Sequence, residues 1–365
     1  MSEPQMTPSQ TRTRLPLTLP EISCEWLSEA LSGSCPGVEV TAFECDGEMH
    51  TTSSKARLRL SYNEAGRRAG LPASMYIKGG FNRRVLKRIW SALAIEVRFF
   101  IEAAPEMDVN IPRCHFARID EESRQAIVLL EDLSARSVSF GVLTDPISPD
   151  RVAAMLELMA KYHGHWWGDP RLPRYASWKE PMHLYMKWQL RRDWWEKVLE
   201  MPQGELMPPG LRDPDLLERA IDTLWEMNER LPQTFVHGDP HLGNTFFERD
   251  GAPGLLDWQC SMRGPWVHDV SYFITCALAV DDRRAHERNL LRHYLDALAA
   301  SGGEPPGFDA AWLEHRRQMM HGLPMFVPSA PDQGPEAWTV AASRRFQAAA
   351  EDLDVLESLG LKRSP

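Results

Sequence analysis

The feature that most constrains the fold is a change of pattern at Glu131-Asp132-Leu133. Upstream, short segments read as strands. Val38 to Cys45 is rich in β-formers, Lys55 to Leu60 alternates, and Ser74 to Lys78, Cys114 to Ile119 and Ala126 to Leu130 follow. Two helices interrupt them, at Ile22 to Leu31 and at Arg83 to Ala103. In the second, Val85, Ile89, Leu93, Val97 and Phe100 recur at helical spacing. Downstream, helical patterns dominate: Pro149 to Trp166, His183 to Leu199, Pro214 to Leu231, His268 to Val280, Ala285 to Ala300, Ala310 to Met320 and Glu336 to Leu359. Short strands intervene at Thr234–Val236, Thr245–Glu248 and Gly254–Leu256. The pattern predicts an α+β protein with two lobes. Residues 17–132 form a small antiparallel-sheet lobe, and residues 133–365 a large helical lobe. Residues 1–16, rich in Ser, Thr, Gln and Pro, read as a disordered tail. A cleft between two lobes is a common place for a ligand.

Charge and cysteine content narrow the class. The chain has 365 residues and a formal charge of -10, with no basic run to follow a phosphate backbone, so a nucleic-acid role is disfavoured. Six scattered cysteines without a CxxC spacing fit thiols in a reducing cytoplasm, not a disulfide framework or zinc knuckle. Met1 to Arg14 is polar and lacks the apolar core of a signal peptide. The longest apolar stretch, Ile274 to Val280, is too short to span a bilayer. A soluble cytoplasmic protein without a membrane or nucleic-acid partner is expected, either monomer or homodimer.

The densest chemical signal is His237-Gly238-Asp239-Pro240-His241-Leu242-Gly243-Asn244, between two short apolar strands. A plain turn needs only Gly, Asn or Asp, so polar groups bunched here point to a site. The spacing H-x-D-x-x-x-x-N is that of a phosphoryl-transfer catalytic loop. Asp239 can accept a hydroxyl proton, and Asn244 can offer its amide oxygen to Mg²⁺. Asp257 ends the next apolar strand, where a carboxylate needs a partner such as a metal, although it can also cap the following turn. Such a site needs a lysine for phosphates and an acid to orient it. Lys78 ends a strand, and Glu96 shares a helix face with Ile89 and Ala92. The turn Asp46 to Ser54 has one glycine. The hydroxyls of Thr52, Ser53 and Ser54 can hold phosphate oxygens, and a plain hairpin explains the composition equally well.

Together, His237 to Asn244 and Leu256-Asp257-Trp258-Gln259 resemble the aminoglycoside phosphotransferase superfamily, which shares the protein-kinase-like fold. Gln259 and the tracts Glu96–Phe100, Leu129–Leu133, Tyr162–Trp166 and Gly264–Tyr272 are similar to its bacterial phosphotransferase and ecdysteroid-kinase-like branch. The resemblance covers roughly residues 35 to 300. It implies an ATP- or GTP-dependent kinase acting on a hydroxyl of a small molecule. Asp239 would be the base, and Asn244 and Asp257 the Mg²⁺ ligands. Lys78 would contact the phosphates with Glu96 orienting it, and the backbone from Glu131 to Leu133 would meet the purine. His237, His241 and Gln259 would support the site, and Asp269 would be structural. The glycine-poor turn departs from the family's pattern.

The acceptor is less constrained. Trp166, Trp167, Trp178, Trp188, Trp194, Trp195 and Trp225 fit an apolar or mixed-polarity alcohol, or simply helix packing. Asp193, Glu196 and Glu200 keep a cationic acceptor open. Two rivals stand. One is a metal-dependent hydrolase using His237, Asp239 and His241, with His163 and His165 as further ligands. The other is a catalytically silent kinase-like binding protein.

Overall fold

The computed structural model describes residues 14–50, 54–84, 86–175, 182–330 and 334–362. The chain divides into two compact units. One holds the chain up to Leu93 together with Arg113–Asp132, and the other holds Ala94–Pro112 and everything from Leu133 onward.

The first unit is built on five antiparallel strands: β1 (Val40–His50), β2 (Ser54–Tyr62), β3 (Ser74–Gly79), β4 (Cys114–Asp120) and β5 (Gln125–Glu131), in the order β1-β2-β3-β5-β4. Helix α1 (Cys24–Ser32) begins where the Ser23 hydroxyl accepts the Trp26 amide at 3.2 Å, a side-chain cap for an otherwise orphaned donor. Its buried face, Trp26, Leu27, Ala30 and Leu31, joins Leu58, Ile77 and Leu129 of the sheet in one core. Each large side chain so buried contributes about 1.5–3 kcal/mol. A short helix, α2 (Glu64–Arg68), follows β2. Two buried polar groups brace the unit. The Gln125 amide oxygen accepts from the Gly80 and Ala126 amides, while its nitrogen donates to the Pro16 carbonyl at 2.6 Å. Asp132 accepts from Arg57 Nε at 2.7 Å and from the Ser74 hydroxyl at 2.7 Å. A carboxylate this buried persists because charge and hydrogen bonds replace water.

Helix α3 (Leu86–Arg98) passes without a break into a π-helical turn, Phe99–Ala103. The sequence pattern predicts one helix to Ala103. The wider turn swings Phe99 and Phe100 into the core, and such turns often mark functional regions.

The second unit contains α4 (Pro149–His165), α5 (Leu184–Gln189), α6 (Arg192–Val198), α7 (Pro202–Glu205), α8 (Pro214–Asn228), α9 (Val267–Ala277), α10 (Val280–Ala300), α11 (Phe308–Phe326), α12 (Glu336–Asp352) and α13 (Val355–Ser358). Small sheets join β6 (Ser139–Phe140), β8 (Thr245–Phe247) and β9 (Pro253–Leu255), and pair β7 (Thr234–Val236) with β10 (Met262–Gly264). Helix α9 is buried along its whole length and packs against α4, α10, α11 and α12.

Two expected helices are broken. His183 to Leu199 is two pieces because Arg191 takes an extended ψ of 136°, and both pieces are tied to one carbonyl: Gln189 Nε2 and Trp194 Nε1 donate to Pro328 O. Glu336 to Leu359 breaks at Asp354, which adopts a left-handed φ of 47°. Conversely, the helix expected at Ala310 to Met320 runs from Phe308 to Phe326, through Pro324. Among the described residues, no helix is long and apolar enough to cross a membrane.

Candidate active site

The loop after β7 is shaped through its backbone. The buried carboxylate of Asp269, on α9, accepts the His237 amide at 2.7 Å and the Gly238 amide at 3.0 Å. His268, its neighbour, sets Nε2 2.9 Å from the Gly238 carbonyl. Gly238 has φ +83°, and a Cβ there would meet the Cys260 carbonyl oxygen at 2.1 Å, so no other residue fits.

Asp269 has two further donors, the Tyr162 hydroxyl at 2.7 Å and His163 Nε2 at 3.3 Å. Burial alone would raise its carboxyl. The His163 hydrogen bond and the electrostatic pull of His163, His268 and His237 outweigh burial and hold it well below the usual carboxylate range. Burial lowers His163, so its ring is neutral, with Nδ1 accepting the Tyr294 hydroxyl at 2.8 Å and Nε2–H facing Asp269.

Asp239 lies two residues past this anchor. Its Oδ1 accepts the Tyr272 hydroxyl at 3.0 Å. Oδ2 accepts no hydrogen bond among the described residues and lies 3.9 Å from His241 Nε2. The side chain keeps 15% exposure. Burial pushes the Asp239 carboxyl up to about 8. The charges of Asp257 and Asp269 add to this, and the Tyr272 hydrogen bond opposes it. Burial lowers His241 to about 4, so its ring is neutral, packed 5.9 Å from Phe326.

Asn244 donates its side-chain amide to the Asp239 carbonyl at 2.9 Å. The Leu256 amide donates to the Asn244 carbonyl at 2.8 Å, bringing the next strand's end alongside. Asp257 follows with φ 61° and ψ 68°, a left-handed conformation that costs a non-glycine residue about 1 kcal/mol or more. Strain of this kind persists where the surroundings fix a side chain's direction. Trp258 then stacks on Phe99 at 4.1 Å with 6° between the rings, and lies 4.6 Å from the His237 ring.

Among the described residues, no three His, Cys, Asp or Glu side chains group as a metal set. A divalent cation here would take one oxygen each from Asn244 and Asp257, leaving the rest of its shell to water and phosphate. Mg²⁺ is commonly bound this way. The hydrolase ligand set does not form. His237 Nδ1 accepts the Asp239 amide at 3.3 Å and its Nε2 lies 2.8 Å from the Leu256 carbonyl, so both ring nitrogens are engaged. Both nitrogens of His163 are engaged as well.

The remaining expected residues are placed as follows. Lys78 is the next-to-last residue of β3 with 7% exposure and Glu96 lies on α3 with 2%, and both have partners. Ser54 is buried at the start of β2, while Thr52 and Ser53 lie outside the described residues. The Glu131 amide donates to the Arg113 carbonyl at 2.8 Å, so its N–H is already used, and Leu133, itself buried, begins a 3₁₀ turn. Gln259 is half-buried in the turn Trp258–Cys260.

The model of the phosphotransferase enzyme family (APH) matches residues 76–315 of the 365. This chain belongs to that family. It is a kinase with the α+β fold expected, its antiparallel sheet in one unit and most of its helices in the other. Solved structures with a similar fold include choline kinase LicA from Streptococcus pneumoniae, at 12% identity over 90% of this chain and 98% of that one, TM-score 0.48. Spectinomycin phosphotransferase in complex with ADP and spectinomycin matches at 11% identity over 93% and 99%, TM-score 0.49. A microcompartment-associated aminopropanol kinase matches at 12% identity over 88% and 94%, TM-score 0.48. None of the curated proteins matches the chain.

The motif alone does not reveal Tyr272, His268 or the Phe99–Trp258 stack. Tyr272 sits three residues beyond Asp269, so on a helix it shares that face. That spacing was the available signal.

Proposed function

We propose that this kinase transfers the γ-phosphoryl group of ATP or GTP to a hydroxyl of a small molecule, with Asp239 as the base. The observation that carries the reading is the Asp239 carboxylate. One oxygen is fixed by Tyr272, and the other is uncommitted and partly exposed, on a loop whose backbone α9 holds from both sides. As the acceptor oxygen attacks phosphorus, its proton passes to Asp239 Oδ2, and the bond from phosphorus to the departing nucleoside diphosphate breaks. A carboxyl lifted by burial is a stronger base than an ordinary aspartate once ionised.

Asn244 Oδ1 and Asp257 are suited to Mg²⁺, which supplies charge neutralisation on the phosphates when bound. Lys78 would contact the phosphates with Glu96 as its counter-charge. Both are buried ionisable groups of the kind that need one. The backbone near Glu131 and Leu133 would receive the purine, and the hydroxyls of Thr52, Ser53 and Ser54 would hold phosphate oxygens. His237, His241 and Gln259 support the loop without touching the transferred group.

For the acceptor, three of the seven tryptophans fall to packing: Trp166, Trp195 and Trp225 are core. Trp188 and Leu184 stay exposed on α5, and Phe326 packs against both His241 and Tyr272 beside the base. These favour an apolar or mixed-polarity alcohol. The test is a nucleotide-consumption screen over hydroxylated compounds with Mg²⁺, with phosphorylated products identified by mass. Asp239→Asn serves as the control, and consumption that survives in it would sink the reading.

A further inference from the structure

A cavity of about 310 Å³ in the second unit is lined by Arg98, Glu102, Glu106, Arg171, Arg174 and Tyr175. None of these belongs to the machinery above. One wall is rigid. Arg171 gives both oxygens of Glu106 hydrogen bonds of 2.8 and 2.7 Å, and grips both oxygens of Asp169 from Nε and Nη2 at 2.9 and 2.8 Å. Its guanidinium also lies 4.5 Å over the Trp166 ring. Arg171, Glu106 and Asp169 therefore satisfy one another and offer a ligand little. Arg98 has partners of its own.

Three lining groups differ. The Arg174 guanidinium, the Glu102 carboxylate and the Tyr175 hydroxyl make no hydrogen bond or ion pair among the described residues. The Tyr175 ring is fixed, edge-on to Phe235 at 4.9 Å and to Trp166 at 5.5 Å, so its hydroxyl has a set direction. Glu102 lies on the π-turn. One uncommitted cation, one uncommitted anion and one hydroxyl around a small cavity call for a ligand with opposite charges at its two ends. A simple anion would meet Glu102 unfavourably, and a simple cation would meet Arg174.

We propose that this cavity binds a small zwitterion of the α-amino acid class, its carboxylate on Arg174 and its ammonium on Glu102, with Tyr175 donating to the carboxylate. Planar, forked pairing of guanidinium with carboxylate supplies the orientation. Tyr175 packs on Phe235, two residues before the catalytic loop, and Glu102 shares its turn with Phe99, the partner of Trp258. The ligand therefore touches supports of the loop without entering it.

The full-length chain, without nucleotide, is titrated with each proteinogenic α-amino acid by thermal shift and calorimetry, with acetate and methylammonium as half-ligands. At least one amino acid should bind and raise Tm. Its affinity should fall by about tenfold or more in both Arg174→Gln and Glu102→Gln, the loss of about one charge-assisted contact. Both sites are exposed, so the variants keep their fold, and unliganded Tm checks this. No binding by any amino acid, binding unaffected by both substitutions, or acetate binding as tightly as the zwitterion would each overturn the proposal. Because nucleotide is absent, the outcome is independent of the phosphotransfer reading.

Discussion

Replacing Asp269 with asparagine keeps its shape and removes its charge, and the geometry gives the size of the loss. Oδ2 serves three donors, Tyr162 Oη, His163 Nε2 and the His237 amide, while Oδ1 serves the Gly238 amide alone. An asparagine keeps its oxygen on the crowded side and sets its NH₂ against the Gly238 N–H. That orphaned buried donor costs about 1–3 kcal/mol. The three surviving bonds drop from charge-assisted to neutral, roughly 1 kcal/mol each. The expected loss is about 4–6 kcal/mol, a large share of the ~5–15 kcal/mol available to a folded protein. Urea denaturation at neutral pH, followed by tryptophan fluorescence, measures it. A loss under about 2 kcal/mol would refute the idea that this carboxylate holds the loop. The pH dependence adds a second check. Because the folded carboxyl lies below its unfolded value of ~3.9, its stabilisation is present above that value and disappears as pH falls through the folded one. The gap between wild type and Asp269→Asn should therefore narrow below roughly pH 4.

Other perturbations separate strain, metal and base. Asp257→Gly should relieve the left-handed backbone and stabilise the fold by about 1 kcal/mol, yet lose Mg²⁺-dependent nucleotide binding; calorimetry showing unchanged binding would remove the metal assignment. Gly238→Ala should cost at least about 2 kcal/mol, since its Cβ meets a backbone oxygen that cannot move aside, and a stable, active variant would contradict the loop geometry. Turnover at saturating nucleotide should rise with pH along a limb above the ordinary carboxylate range, the limb of Asp239 losing its proton. A limb near pH 4 would mean that burial is not governing that group. Lys78→Met should weaken nucleotide binding, and normal binding would show that another cation serves the phosphates.

The strands and most helix centres could be read from periodicity because each buries one face, and burial leaves a periodic trace. Helix ends and breaks could not. Around Arg191 the helix pieces on either side share a tertiary contact, the Pro328 carbonyl, which local propensity does not encode. The His237–Asn244 loop was visible because its polar residues have no local purpose. Its supports were less visible. Tyr162 and His163 lie in a tract whose resemblance was visible in sequence, but only their bonds to Asp269, and that of Tyr294 to His163, reveal what they do. The tryptophans were open to two readings in sequence, a ligand surface or helix packing. Trp166, Trp195 and Trp225 are packing, while Trp188 stays exposed.

The grip of α9 on the loop also sets an order of events. The motif is synthesised some thirty residues before the helix that shapes it, and Tyr294 comes later still. A nascent chain that has just emitted His237 to Asn244 carries the letters of a catalytic loop but not its geometry. The loop amides have no carboxylate to bind, and Asp239 has no Tyr272. Competence to react should therefore appear abruptly, once α4, α9 and α10 have docked. Fragments ending before α9 would leave the loop without its anchors, a built-in delay that keeps a half-made kinase from acting.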